Sequence, residues 1–429
     1  MRGALLLVLA TVLFAARTGS AQEYDLDFSE LEKKPYTLGG FAELEPILFG
    51  LDPGSAFYEL RLSGRGVDRT FAQYSLGGRL EGSYERGLFS VSGRMEAFLV
   101  HGLEGWNESI ELLEGYLSFE PGVNVSLDIG KTSNKWGTGY FRSPVSFADR
   151  PKDPEDPNEA LEGYYAIRAE LVKSFEGPLE ALSLIPVLLP VTEKVNSGFG
   201  DTGHLNLATR LYLLLWDTDI ELVFFTGGSR PTSYGLDFSR NLASSFELHG
   251  EVAWFEDFER RAPTPSGGLE VEPRRVAATL VGLRYLTPWL TTLIVEHYHD
   301  GRGLRKGEAS SFFDEVHRAA RGDDPAGPGL DDLDRLAHQS FAASLPMRDY
   351  LYVRLSQREP FGIVYLTPGL SSIANLGDGS VQVMPEVQYS PATNLVLRLR
   401  AAFLVGDRGT DFGEKRNDYR IELRARLFF

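Results

Sequence analysis

Eleven residues at the end of the chain, YRIELRARLFF, restrict the possible folds more than any other stretch. Odd positions carry Tyr419, Ile421, Leu423, Ala425, Leu427 and Phe429, and even positions carry Arg420, Glu422, Arg424, Arg426 and Phe428. Side chains of an extended strand alternate between its two faces, so one face is wholly apolar and the other almost wholly charged. In a water-soluble sandwich the apolar face would meet a second sheet. In a membrane barrel it would meet lipid, and the charged face would enclose water.

The same alternation recurs in LFSVSGRMEAFLV (Leu88 to Val100), VNVSLDIG (Val123 to Gly130), YYAIRAELVKSF (Tyr164 to Phe175), LNLATRLYLLLW (Leu205 to Trp216) and NLVLRLRAAFL (Asn394 to Leu404). These runs have about the 9–11 residues that a tilted strand needs to cross a bilayer. Short turn-rich links alternate with long polar ones, as in an outer-membrane barrel. The short links are Glu85-Arg86-Gly87, Pro121-Gly122, Glu176-Gly177-Pro178, Asp217-Thr218, Thr287-Pro288-Trp289, Met347-Arg348-Asp349 and Ser390-Pro391-Ala392-Thr393. The long ones are Asp52–Arg69, Arg142–Ala160, Thr192–Thr202, Glu256–Pro273, Asp300–Leu336 and Gly406–Asp418, and Glu359–Ser380 is read as a further extracellular loop. The expectation is a closed, antiparallel, all-β transmembrane barrel of about 18 strands, opening with Tyr36–Phe49.

Met1-Arg2, an apolar run from Gly3 to Ala16 and the small residues Gly19-Ser20-Ala21 have the form of a secretory signal peptide cleaved near Ala21. Residues 22–35 then form a short periplasmic segment and 36–429 the barrel. With no cysteine, the chain has no disulfide, no thiolate metal site and no covalent haem of its own. Its net charge of −17 argues against nucleic acid as a partner. After the signal, no apolar run has the length of a membrane-spanning helix.

A chain that ends in an aromatic residue, with apolar residues at every second position before it, resembles the Gram-negative outer-membrane β-barrels of the porin-like family. The matching positions are Tyr419, Ile421, Leu423, Leu427 and Phe429. The resemblance implies that Tyr419, Leu423, Leu427 and Phe429 form the signal read by the barrel assembly machinery. It also implies contact with outer-membrane lipid and lipopolysaccharide. Homo-oligomerisation is common in such barrels, but no interface can be read from this chain.

The polar strand faces nominate a charged lumen wall: Arg94, Glu96, Arg168, Glu170, Arg210, Arg284, Glu296, Arg354, Arg398, Arg400, Arg420, Glu422, Arg424 and Arg426. Two readings compete. The wall orients solutes and sets ion preference, or Arg and Glu simply pair across strands to hold it together. The Arg-rich closing region suggests an anion track. The interruption WGTGYFRSPVSFADRPKDPEDP, with four prolines that cannot donate to a ladder, reads as a stiff extracellular link. Folded inward, it would narrow the lumen with Arg142, Asp149, Arg150, Lys152 and Asp153; folded outward, it would be an external cap.

Other motifs carry less. His297 and His299 share a face with Leu293 and Val295, which puts them on the lipid side and argues against a metal site. The acidic stretch Asp323–Arg335 lacks the glycine and glutamate of an EF-hand loop; it reads as a solvated loop, with loose Ca²⁺ or Mg²⁺ bridging to surface lipopolysaccharide as the alternative. Neither a Gly-x-Ser-x-Gly elbow nor a His-Glu-x-x-His motif is present. The leading function is passive diffusion of small hydrophilic solutes or ions, without cofactor or catalysis. The alternatives are a sheath around a partner such as an electron-transfer cytochrome, and a barrel hydrolase.

Overall fold

The computed structural model describes residues 34–264, 268–323 and 327–429. Residues 1–21, read as a signal peptide, and most of the 22–35 segment lie outside them. The strands, in chain order, are β1 (Tyr36–Leu51), β2 (Thr70–Arg86), β3 (Phe89–Gly102), β4 (Gly105–Gly122), β5 (Val125–Thr132), β6 (Tyr164–Ser174), β7 (Leu179–Val191), β8 (His204–Leu215), β9 (Thr218–Thr226), β10 (Ser233–Ala243), β11 (Phe246–Pro263), β12 (Leu269–Leu286), β13 (Thr291–Asp300), β14 (Asp349–Gln357), β15 (Leu366–Asn375), β16 (Val381–Ala392), β17 (Leu395–Val405) and β18 (Asn417–Phe428). Each pairs antiparallel with its chain neighbours, and β1 pairs with β18, so the 18-stranded sheet closes on itself. Closure leaves the sheet no free edge, whose bare donors and acceptors would each cost several kcal/mol in hydrocarbon.

The alternation sets the two faces. Leu44, Leu76, Ile129, Ile167, Leu222, Val281, Leu370, Leu399 and Leu423 are exposed on the outside. Exposed aromatics flank them: Tyr84, Phe89, Trp216, Tyr285, Trp289 and Tyr389 toward the short turns, and Tyr74, Trp106, Tyr165, Tyr234, Trp254 and Phe403 toward the long loops. An apolar outer band between two aromatic girdles is the surface a bilayer selects. At the closing seam, Gly50 lies opposite Tyr419, and a Cβ there would come within 2.1 Å of the ring. The glycine leaves room for the ring to lie over the backbone.

Four segments differ from the sequence expectation. Met347-Arg348-Asp349 is not a short turn; it leads from the 301–348 connection into β14. Glu359–Ser380 is not one loop; it holds a turn on the short-turn side, the strand β15 and a turn on the long-loop side. Pro368 and Gly369 make β15 read as irregular, but Leu366, Pro368 and Leu370 still alternate with Thr367, Gly369 and Ser371. The long connections also carry helices: α1 (Ala56–Arg61), α2 (Lys306–Arg321) and α3 (Leu330–Ser340). The acidic stretch read as loop is thus partly helix; its residues 324–326 lie outside the described residues. Glu256–Pro273 is largely strand, because β11 and β12 run on into a projecting hairpin.

Two apolar clusters sit inside the barrel. In one, Trp136, Val145 and Phe147 of the connection between β5 and β6 pack against the inward residues Ile185, Val187, Ala208, Val223 and Phe225. In the other, Phe57, Phe312, Phe313, Leu333 and Leu336 of the helices meet Tyr298, Tyr350, Tyr352 and Ile373 of the wall.

Candidate functional site: a loop clamped across the lumen

The connection between β5 and β6 folds inward, and both of its ends are fastened to the wall. At its root, two inward carboxylates receive backbone donors. Glu251 accepts from Gly139 N (2.6 Å), Ser143 Oγ (2.9 Å) and Val145 N (3.3 Å). Glu296 accepts from Tyr140 N (2.6 Å) and Phe141 N (2.9 Å), and its Oε1 lies 2.9 Å from His249 Nε2. All three wall residues are buried. Glycine is required here. Gly137 has φ +91° and a Cβ would lie 1.9 Å from Ser143 Oγ, while a Cβ on Gly139 would lie 2.0 Å from Arg142 O.

At its far end the acidic run Glu155, Asp156 and Glu159 meets a fan of arginines on β17 and β18. Arg398 Nη2 donates to Asp156 (2.6 Å) and Arg400 Nη1 to the Glu155 carbonyl (2.7 Å). Arg424 Nη1 reaches Glu159 (3.0 Å), Arg426 Nη2 also reaches Glu159 (3.1 Å), and Arg420 pairs with Glu155. Burial works against ionisation of Asp156, but its hydrogen bond to Arg398 and the charges of Arg398, Arg400 and Arg424 outweigh it and hold the carboxyl well below its usual range.

Every lumen candidate lies on an inward face, and almost all are paired within the wall. Arg94 bridges Glu81 and Glu114, Arg79 holds Glu96, and Arg168 joins Asp128 to Glu170. Arg210 meets Glu221 at 2.9 Å, Arg284 meets Glu247 at 3.5 Å, and Arg354 meets Glu386 at 2.9 Å. Arg400 and Glu422 pair at 2.7 Å, Arg424 reaches Glu45, and Arg426 reaches Glu43. For these residues the cross-strand pairing reading describes the contacts made, and the Arg-rich stripe is engaged by the loop.

The constriction candidates divide. Asp149 shapes the loop itself, accepting from Asn134 N (2.5 Å) and Trp136 N (3.3 Å). Arg150 pairs with Glu162 and lies over the Tyr164 ring. Asp153 is exposed and caps the turn at Glu155 N. Arg142 and Lys152 face open space.

Two cavities, of about 1270 and 780 Å³, flank the loop. Their shared lining includes Arg142, Lys152, Arg230, Arg302 and Glu159. Arg302 pairs with Asp300 at 2.8 Å. The other three cations bond neutral oxygens: Arg142 to Ser344 Oγ (2.6 Å), Lys152 to Gly139 O (2.5 Å), and Arg230 to the Phe199 and Phe147 carbonyls. Among the described residues none of these three forms an ion pair within 4.0 Å. Burial pushes the Lys152 ammonium below its ordinary pKa, and Glu251, Glu296 and Asp149 offset this only in part.

Sequence reasoning did not nominate Arg230 or Arg302, which lie in or beside connections. Nor did it nominate Glu155, Asp156 and Glu159, although an acidic run in a chain whose last strand is so rich in arginine was a usable signal. His299 bonds Asp349 at 2.6 Å on the outer face, where the alternation put it. Among the described residues no cluster of metal-ligating side chains is found.

The class these features define is a closed 18-stranded membrane barrel with an inserted loop. No family model matches the sequence, and no curated protein matches it. Solved structures match its fold. OpdQ of Pseudomonas aeruginosa covers 92% of this chain and 99% of its own at 11% identity, with a TM-score of 0.55. OccK11 (OpdR) of the same organism covers 92% and 98% at 11% identity, with a TM-score of 0.54. The outer membrane protein OprD, also from P. aeruginosa, covers 92% and 94% at 11% identity, with a TM-score of 0.50. The chain shares its barrel architecture with these Gram-negative proteins across nearly its whole length.

Proposed function

We propose that the protein is a porin-like channel of a Gram-negative outer membrane that passes small hydrophilic solutes through a charged lumen. One observation carries this reading: two cavities flank the inserted loop, and the lining they share includes Arg142, Lys152 and Arg230, which have no ion-pair partner among the described residues, beside Glu159 and the paired Arg302. Arg142, Lys152 and Arg230 would set a preference for anionic groups, because unpaired charge in a narrow, partly dry passage acts at close range. The likeness to outer-membrane barrels supports the membrane placement. Export with cleavage near Ala21 and insertion by assembly machinery reading Tyr419, Leu423, Leu427 and Phe429 complete the proposal.

The sheath reading is disfavoured. The lumen is occupied by the chain's own loop and helices, packed through two apolar clusters, which leaves no room for a folded partner. Purified protein in planar bilayers tests the channel reading. Stepwise conductance is expected, with a reversal potential in a salt gradient that favours anions and weakens in R142Q/K152Q/R230Q. A silent bilayer, or a reversal potential indifferent to those substitutions, would overturn the reading or its residue assignment respectively.

A further inference from the structure

The turn between β14 and β15 carries features the channel does not use. It reads Arg358-Glu359-Pro360-Phe361-Gly362-Ile363-Val364-Tyr365 and lies on the short-turn side. Phe361 is 98% exposed and Tyr365 66%, and Ile363 and Val364 are also exposed. The neighbouring turn between β12 and β13 adds Trp289, 76% exposed, and Leu290. The two turns are tied together by Arg358 N donating to Leu290 O at 3.2 Å.

The backbone holds these side chains out. Leu290, Glu359, Phe361 and Tyr365 all have φ between 51° and 61°. That region is uncommon for non-glycine residues and marks function more often than chance when it clusters. A turn whose only task was to join two strands would place glycine or asparagine at such positions and polar residues at its tip.

The patch continues a surface already described. The turn runs directly into the outer apolar columns of its strands, Leu355 on β14 and Leu370 on β15. On one side Tyr285 of β12 belongs to the aromatic girdle. On the other, Tyr389 of β16 lies opposite Leu366, and Ser390 N donates to Tyr365 O. The apolar surface therefore passes from the lipid-facing wall onto the turn along the β15 side, through Leu370, Pro368 and Leu366, while the β14 side carries one polar residue, Gln357.

We infer that this turn is a membrane foot: Phe361, Ile363, Val364 and Tyr365, with Trp289 and Leu290, insert into the headgroup and upper acyl region of the phospholipid leaflet on the short-turn side. Aromatic and aliphatic side chains favour that depth. The inference rests on the reading of the barrel as membrane-embedded, and the experiment separates the two.

The chain has no cysteine, so single cysteines can be labelled cleanly. Variants F361C, V364C, L399C and N394C, each carrying bimane, are inserted into phosphatidylcholine/phosphatidylglycerol vesicles with lipids brominated near the headgroup. L399C lies on the outer wall and N394C in the polar β16–β17 turn. The expected result is quenching at 361 and 364 comparable to that at 399, absent at 394, with little quenching of 361 and 364 by aqueous iodide. If 399 is quenched while 361 and 364 behave like 394, the foot is wrong and the barrel reading stands. If 399 is not quenched, the membrane reading itself fails and takes the foot with it. Protection of 361 and 364 from iodide without bromine quenching would mean that a protein surface, not lipid, covers them, and would also overturn the foot.

Discussion

At the residue scale the lumen is governed by which charges have partners. Arg400 and Glu422 are both buried and share a 2.7 Å contact. Removing one member of such a pair strands the other, at a cost of roughly 3–5 kcal/mol. E422L is therefore expected to lower the denaturant midpoint measurably, whereas E270Q, at the exposed tip of the β11–β12 hairpin, leaves it unchanged. Asp156 makes a pH prediction. Its carboxyl is held below the ordinary value of about 3.9. A depressed pKa contributes stability that is present above the unfolded value and lost as pH falls through the folded one. The loop's hold at Asp156 is thus expected to persist at pH 4 and to loosen only in stronger acid, seen as a rise in conductance that D156N shows already at neutral pH. Lys152 acts in the opposite range. With its pKa lowered by burial, it sheds its proton in milder alkali than a free lysine. Anion preference should fall there, and K152M should remove that part of the pH profile.

At the element scale the inserted loop behaves as a strut with two differently built ends. The root depends on Glu251 and Glu296 receiving backbone N–H groups, and the tip on carboxylates meeting arginines. E251A would leave the Gly139 and Val145 donors bare, at ~1–3 kcal/mol each. Faster proteolysis within 137–160 is the expected readout. Deleting Ser143–Pro157 is expected to widen the channel and raise single-channel conductance; the triple variant E155Q/D156N/E159Q, which keeps the loop's length, should raise it by less. Unchanged conductance in both would exclude the loop as the constriction. Strands with strict alternation, such as β18 and β3, were legible because one face must avoid water and the other must avoid lipid. The loop's attachment was not, because Glu251 and Glu296 look like any other inward carboxylate until the chain that satisfies them is in place. The stretch before Met347 escaped for a related reason: α3 buries Leu333, Leu336 and Ala337 inside the barrel, and helical periodicity does not announce itself among strands.

At the scale of the whole molecule, acidic composition and pore preference are separate quantities. The chain carries a net charge of −17, yet most wall carboxylates are bound to arginine or to loop backbone. On the proposed reading, the charges left without ion-pair partners between the two cavities, Arg142, Lys152 and Arg230, are what a passing ion would meet. Reversal potentials should therefore be insensitive to surface acids such as Glu270 and sensitive to those three. The closure of β1 on β18 has a consequence of another kind. The first strand finds its second partner only in the last, so the barrel cannot seal until the final residues of the chain are in place. Loss of β18 would leave β1 and β17 as two unpaired edges, and exposed edges of this kind template pairing with other chains.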